Sequence, residues 1–333
     1  MLLVGNPGIE HVGNHLYKAA GALGVQTEFF ASERAYEAWL PVRKFYWHLR
    51  EHRPPRLRSF STDVQRACES SAVQCLLSTG VAPIDEAALK AIGRNGVVRM
   101  NFLTDDPWNP HHQCRWFMGA LSQYDVIFSP RRSNIDQLRN VCARVEYLPF
   151  GYAPDIHFPQ IPETSDEECH FTSDVMFAGG ADPERVPYIG ALIENGFQVA
   201  VYGGYWEKSR LTRSAARGFA GPAALRKAAA CGRIALCLVR RANRDGHVMR
   251  TFELAAMGAC ILAEDTDDHR SVYGPEGTNV LYFRSIPEML DRARMLLADG
   301  SLRERMRNSV RKHILETANT YCDRLQTILR AVN

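Results

Sequence analysis

The chain has 333 residues, 46% of them hydrophobic and 23% charged, and 40 basic against 37 acidic side chains leave a net charge of +3. That is ordinary globular composition, long enough for two domains and without the charge excess that nucleic-acid binding would demand. No apolar run approaches the ~18 residues needed to span a bilayer, and the opening MLLVGNPG lacks the basic segment of a signal peptide.

Strand-like and helix-like segments alternate from end to end. MLLVG is a short apolar run closed by glycine, HVGNHLYKAAGALG has helical spacing and ends at Gly24, and VQTEFF predicts the next strand. SAVQCLLST, GVVRMNFLT, YDVIFSP and ARVEYLPF follow, each separated by a loop or a helix-length segment. This is βαβ patterning, which implies a mostly parallel sheet covered by helices. From Gly151 to Ser173 the pattern breaks, with three prolines and an acidic run, and a linker is expected over residues 156–172.

The opening pattern then restarts. DVMFAGG is a strand into a glycine turn, PERVPYIGALIENG a helix ending at Gly196, and FQVAVYGG a strand. RIALCLVRR, ACILAED and a weaker NVLYF supply further strands, and PEMLDRARMLLAD and SLRERMRNSVRKHILETA supply helices. TYCDRLQTILRAVN predicts a last amphipathic helix. The expected organisation is an N-terminal Rossmann-like domain over 1–155, a second over 173–317, and a C-terminal helix over 318–333 packing back on the first. Two such domains facing each other across a cleft would place ligands at the carboxyl ends of the strands. The nine cysteines show no Cys-x-x-Cys pair, and Cys75, Cys237 and Cys260 sit in apolar runs as small core residues of a reduced, cytosolic protein.

The most informative stretch is RDGHVMRTFELAAMGACILAED, residues 244–265. A loop of Asp, Gly and His leads into a short helix that Gly258 ends, with Arg250 and Glu253 on one face near its start. Helix N-terminal amides suit a phosphate. An arginine in the first turn adds a bidentate clamp, and a carboxylate three residues on can accept two ribose hydroxyls. A surface i,i+3 ion pair is the alternative.

RTFELAAMGACILAEDTDDHRSVYGPEGTNVLYF resembles the C-terminal signature of the spore-maturation (CgeB-like) family of glycosyltransferases. The similarity extends to HFTSDVMFAGG, VAVYGGYW, NFLTDDPW, YDVIFSP and VEYLPFGYAPDIHF. The resemblance implies a GT-B fold, two Rossmann-like α/β/α domains, and transfer of a sugar from a nucleoside diphosphate sugar to an acceptor that is a glycan, a protein or a small molecule. Related retaining enzymes carry two glutamates with seven residues between them, the second holding the donor ribose. The matching positions are Asp245 and Glu253, the first shortened to aspartate. The resemblance also implies no cofactor and no metal. A GT-B nucleotide-sugar epimerase or hydrolase, or a non-catalytic nucleotide-sugar-binding protein, are the alternatives.

Further candidates surround this centre. Gly179, Gly180, Gly203 and Gly204 allow close backbone approach to a donor, His247, Arg250 and Thr251 join them, and an aromatic of VYGGYW could stack on a base or pack inside. GNPGIEHVGNH does not match Gly-x-Gly-x-x-Gly, but its Gly8 and His11 resemble the loop opposite the donor; His11 either reaches the diphosphate or sugar or caps the helix. Glu28 is at most a weak match to the ribose-binding acid of a dehydrogenase. Asp105 and Asp106, just beyond a strand, orient or deprotonate an acceptor hydroxyl, open a helix through an Asp-Pro turn with Asp106 as N-cap, or do both. Residues 42–60 hold six Lys or Arg and one acid among Phe45, Tyr46 and Trp47. They form either a solvated face or a peripheral contact with an anionic inner-membrane face or an acidic acceptor.

Overall fold

The computed structural model describes residues 1–70, 72–111 and 113–332. Ser71, at the start of the strand expected over 71–79, and Asn333, at the end of the terminal helix, therefore lie outside the described residues. The chain forms two compact units. The first comprises Met1–Pro149, Ala242–Arg244 and Tyr321–Asn333; the second comprises Phe150–Arg241 and Asp245–Thr320.

The first unit carries a six-stranded parallel sheet: β1 (Leu2–Gly5), β2 (Glu28–Ala31), β3 (Cys75–Thr79), β4 (Val98–Phe102), β5 (Val126–Ser129) and β6 (Val145–Tyr147), in the order β2-β1-β3-β4-β5-β6. Its strands β1 and β5 are mainly apolar runs with every residue buried, as expected where helices cover both faces. Helix Val12–Ala22 packs closely on β1, since a Cβ on Gly13 would stand 3.0 Å from the Gly5 Cα. The C-terminal helix Tyr321–Arg330 lies against Val12–Ala22. There the Tyr321 and His15 rings stack at 4.8 Å, and Arg324 Nε donates to the Pro149 carbonyl at 2.8 Å.

The second unit holds β7 (Ser173–Ala178), β8 (Val199–Tyr202), β9 (Gly232–Cys237), β10 (Ile261–Glu264) and β11 (Leu281–Phe283), all parallel, ordered β11-β10-β9-β7-β8. The weak NVLYF strand is present as β11. The boundary differs from the sequence expectation, falling between Pro149 and Phe150, and residues 156–172 belong to the second unit. They contain helix Ser165–Phe171, whose N-terminus Thr164 caps through Glu167 N. The prolines concealed this helix from a periodicity argument. The separate return of Ala242–Arg244 to the first unit had no sequence signal.

Both sheets contain a reversal of strand order. In the first it lies between β1 and β3, in the second between β7 and β9. At such a point neighbouring strands send their loops apart, leaving a crevice at the carboxyl ends. Cys68, Cys75, Cys114, Cys142, Cys237 and Cys260 are buried free thiols. Burial pushes the Cys237 and Cys260 thiols up to about 11, which keeps them protonated and inert.

Candidate functional site

In the second unit the loop after β7 carries Gly179 and Gly180, and the loop after β8 carries Gly203 and Gly204. The two loops are tied together by the backbone: Gly179 N donates to Tyr202 O at 2.8 Å and Ala181 N to Gly204 O at 3.0 Å. Gly203 has φ 145°, and a Cβ there would collide with the Gly179 carbonyl, so no other residue fits without moving the loop. Trp206 is fully buried, donates Nε1–H to Gly179 O at 2.8 Å and packs edge-on against Phe177 at 5.6 Å. It therefore belongs to the core and supports the loop from beneath. The aromatics that remain exposed on this rim are Tyr205, held at φ 74°, and Phe219, whose ring lies over Gly204.

Arg185, which no motif marked, stands at the strand-order reversal. Its guanidinium reaches Gly180 O in the loop after β7 and Leu238 O just beyond β9, both at 3.4 Å. Only 6% of the residue is exposed, and its carboxylate neighbour Asp182 lies 3.4 Å away. Burial holds the guanidinium below its ordinary pKa. A largely buried positive charge thus lies beneath the glycine loop after β7, with Asp182 beside it. The signal was present in DPERVPY, but Arg185 sits one residue before a helix among exposed charges and nothing in the pattern distinguishes it.

The helix after β9 is Met249–Ala256, with Val248 at its N-cap. Valine has no acceptor, so this helix start receives no side-chain cap; instead Thr251 Oγ1 accepts from Val248 N at 3.1 Å. Thr251 is fully buried and its hydroxyl also meets His269 Nε2 at 3.0 Å. It braces the helix from the inside and is closed off from solvent, whereas a donor contact was expected of it. His247 is likewise 1% exposed, between the edges of Phe150 and Phe252. Its Nε2 accepts from Phe150 N at 3.3 Å and Nδ1 lies 3.5 Å from Asp268, so it positions the turn. Asp268 also packs over Gly246, whose carbonyl accepts from Thr266 Oγ1 at 2.5 Å. Asp245 is half-buried, and its charge only partly offsets the lowering of the Arg185 pKa by burial.

Arg250 Nη1 donates to Glu253 Oε2. The ion pair is therefore real, but it is not a surface one: the Glu253 side chain is 1% exposed and that of Arg250 26%. The other carboxylate oxygen, Oε1, has no hydrogen-bond partner among the described residues and lies 3.6 Å from His157 Nε2. Glu253 was expected to line an open helix start; its burial follows from the helix lying with this face inward.

In the first unit His11 is exposed and precedes helix Val12–Ala22 without capping it through its side chain. Its ring lies across Gly8, where a Cβ would come within 2.6 Å. The two aspartates after β4 separate. Asp106 is 1% exposed and held in a bidentate pair by Arg244, Nε to Oδ2 at 2.5 Å and Nη2 to Oδ1 at 2.9 Å. It also accepts from Trp108 N at 3.3 Å, closing the Asp-Pro turn. These contacts fix the loop and place Asp106 in the Asp-Pro turn expected of it. Asp105 is half-buried, with Thr104 Oγ1 at 3.4 Å.

Residues 186–330 match the model of a family described as glycosyl transferase-like. No curated protein sequence matches the chain. Among solved structures, sucrose-phosphate synthase from Thermosynechococcus elongatus superimposes with a TM-score of 0.66 at 11% identity, over 99% of this chain and 97% of that one. Anabaena HepE in complex with UDP and glucose gives 0.66 at 11% identity, over 99% and 98%. A Listeria monocytogenes protein assigned as a UDP-N-acetylglucosamine 2-epimerase gives 0.55 at 12% identity, over 99% and 95%. The chain has the two-domain α/β architecture of the GT-B glycosyltransferase structures, and its C-terminal part, which holds Arg250 and Glu253, matches a glycosyl transferase-like family.

Proposed function

We propose that the protein is a glycosyltransferase that takes a sugar from a nucleoside diphosphate sugar. The observation that carries this is the coincidence, inside the family-matched region, of a glycine crevice at the strand-order reversal, an uncapped helix start and two arginines. The diphosphate lies on the amides after β7 and at Met249, with the buried charge of Arg185 beneath it. Arg250 is the mobile member. With its side chain 26% exposed, it can turn from Glu253 to the phosphate and take up charge as the leaving group departs. Glu253 then has both oxygens for the ribose hydroxyls, and Oε1 gains the partner it lacks. Tyr205 and Phe219 offer the base an aromatic face. The pattern of residues resembles the spore-maturation (CgeB-like) family, to which we assign the chain, and neither a cofactor nor a metal takes part.

On this reading Asp105 orients the acceptor hydroxyl and Asp106 fixes the loop that carries it. The competing reading is a nucleotide-sugar-binding protein without turnover, favoured by the burial of Glu253; an epimerase or hydrolase shares the same donor site. Product analysis after incubation with a panel of nucleoside diphosphate sugars, with and without added saccharide acceptors, separates them. Transfer is the expected outcome; an epimerised sugar, or an unaltered donor after long incubation, refutes it.

A further inference from the structure

Helix Leu40–Leu49 buries none of its side chains. Its sequence LPVRKFYWHL places Val42, Phe45, Tyr46 and Leu49 at i, i+3, i+4 and i+7, one continuous apolar stripe. Such a stripe normally faces a core. Here Val42 is 38%, Phe45 48% and Leu49 71% exposed, with Trp39 at 77% just ahead of them. The opposite flank is open as well, with Leu40 58% and Trp47 47% exposed; together with Arg43, Lys44, Tyr36 and Arg53 these residues line a surface pocket of about 230 Å³. Beyond the helix, Glu51 and His52 take left-handed backbone (φ 52° and 57°), and the His52 ring packs on Trp47 at 4.4 Å. This turn folds the chain back and leaves the helix projecting.

Charge decides what covers the stripe. Arg43, Lys44, Arg50 and Arg53 pair with no carboxylate among the described residues. The nearby acids are already taken, Glu37 by Arg56 at 2.9 Å and Glu51 by Arg115 at 3.3 Å. A second copy of the helix would bring cations against cations. An anionic lipid surface instead offers acyl chains to the stripe and phosphates to the cations. At ten residues the helix is about 15 Å long, too short to span a bilayer, and among the described residues no helix is long and apolar enough to do so. We propose that helix Leu40–Leu49 docks the protein in the interface of an anionic bilayer. Trp39 and the Val42–Leu49 stripe enter the acyl boundary, and the basic pocket receives a lipid phosphate.

Co-sedimentation of the full chain with phosphatidylcholine vesicles, with and without phosphatidylglycerol, tests this. Binding is expected only to the anionic vesicles, with a blue shift of tryptophan emission, and should be lost on going from about 0.1 M to 1 M salt as the screening length falls from about 10 to 3 Å. Each basic residue near such a surface strengthens binding about fivefold, so R43A/K44A should weaken it about 25-fold. F45S/L49S should abolish the emission shift. Both variants change exposed side chains, and unchanged thermal unfolding would show them folded. Absence of wild-type binding to anionic vesicles, or equal binding by the folded variants, overturns the proposal. So does sedimentation of the chain as a dimer that F45S/L49S dissociates, which would make the stripe a protein interface.

Discussion

Replacing Arg250 with alanine strips the cation from a carboxylate that is 1% exposed. Losing one partner of a fully buried pair costs about 3–5 kcal/mol because the remaining charge is stranded. Arg250 is itself 26% exposed, so water replaces part of what it supplied, and we expect about 2–3 kcal/mol. Glu253→Gln removes the charge but keeps the shape and should cost only about 1 kcal/mol. The double variant Arg250→Ala/Glu253→Gln should then be more stable than Arg250→Ala alone, with a coupling of about 1.5–2 kcal/mol. Urea unfolding of the four proteins measures it. The same Arg250→Ala change should weaken binding of a nucleoside diphosphate by about 2 kcal/mol, roughly 30-fold, through loss of a charge-assisted contact. Additivity of the two changes within about 0.5 kcal/mol would refute the buried-pair reasoning.

Asp105→Asn should leave the fold intact and depress turnover, whereas Asp106→Asn should destabilise by about 1–3 kcal/mol by breaking the Arg244 pair; equal effects on both measurements would remove the distinction. His269 is pushed down to about 4 by burial, against an ordinary value of about 6.5. The unfolded chain therefore binds the extra proton first, and stability that is whole above about pH 6.5 falls as pH drops toward 4, by about 3 kcal/mol in all. His269→Gln should flatten the unfolding free energy across that window relative to wild type, and parallel curves would contradict it. Turnover should survive a chelator; abolition with rescue by magnesium or manganese would assign a metal to the site.

The alternation of strands and helices was legible because parallel strands buried on both faces, such as IALC in β9 and ILA in β10, are unbroken apolar runs. The glycine loops were legible too, since positions such as Gly203 admit no side chain. What escaped were contacts whose partners lie far apart in sequence. Asp106 and Arg244 are 138 residues apart, so no local pattern tells a catalytic aspartate from a tethered one. Arg185 becomes notable only when the order of β7 and β9 is known. Arg250 and Glu253 were visible as an i,i+3 pair, but periodicity in a helix apolar on most sides does not say which flank turns inward, and the burial of Glu253, His247 and Thr251 went unread.

The central claim is that the crevice of the second unit takes the diphosphate of a sugar donor. Calorimetric titration of the wild-type chain and of Arg250→Ala with a panel of nucleoside diphosphates tests it most directly. The account predicts one-to-one binding of at least one of them to the wild type, weakened about 30-fold in the variant. Equal affinity in the two proteins, or binding of none of the panel to the wild type, would contradict it.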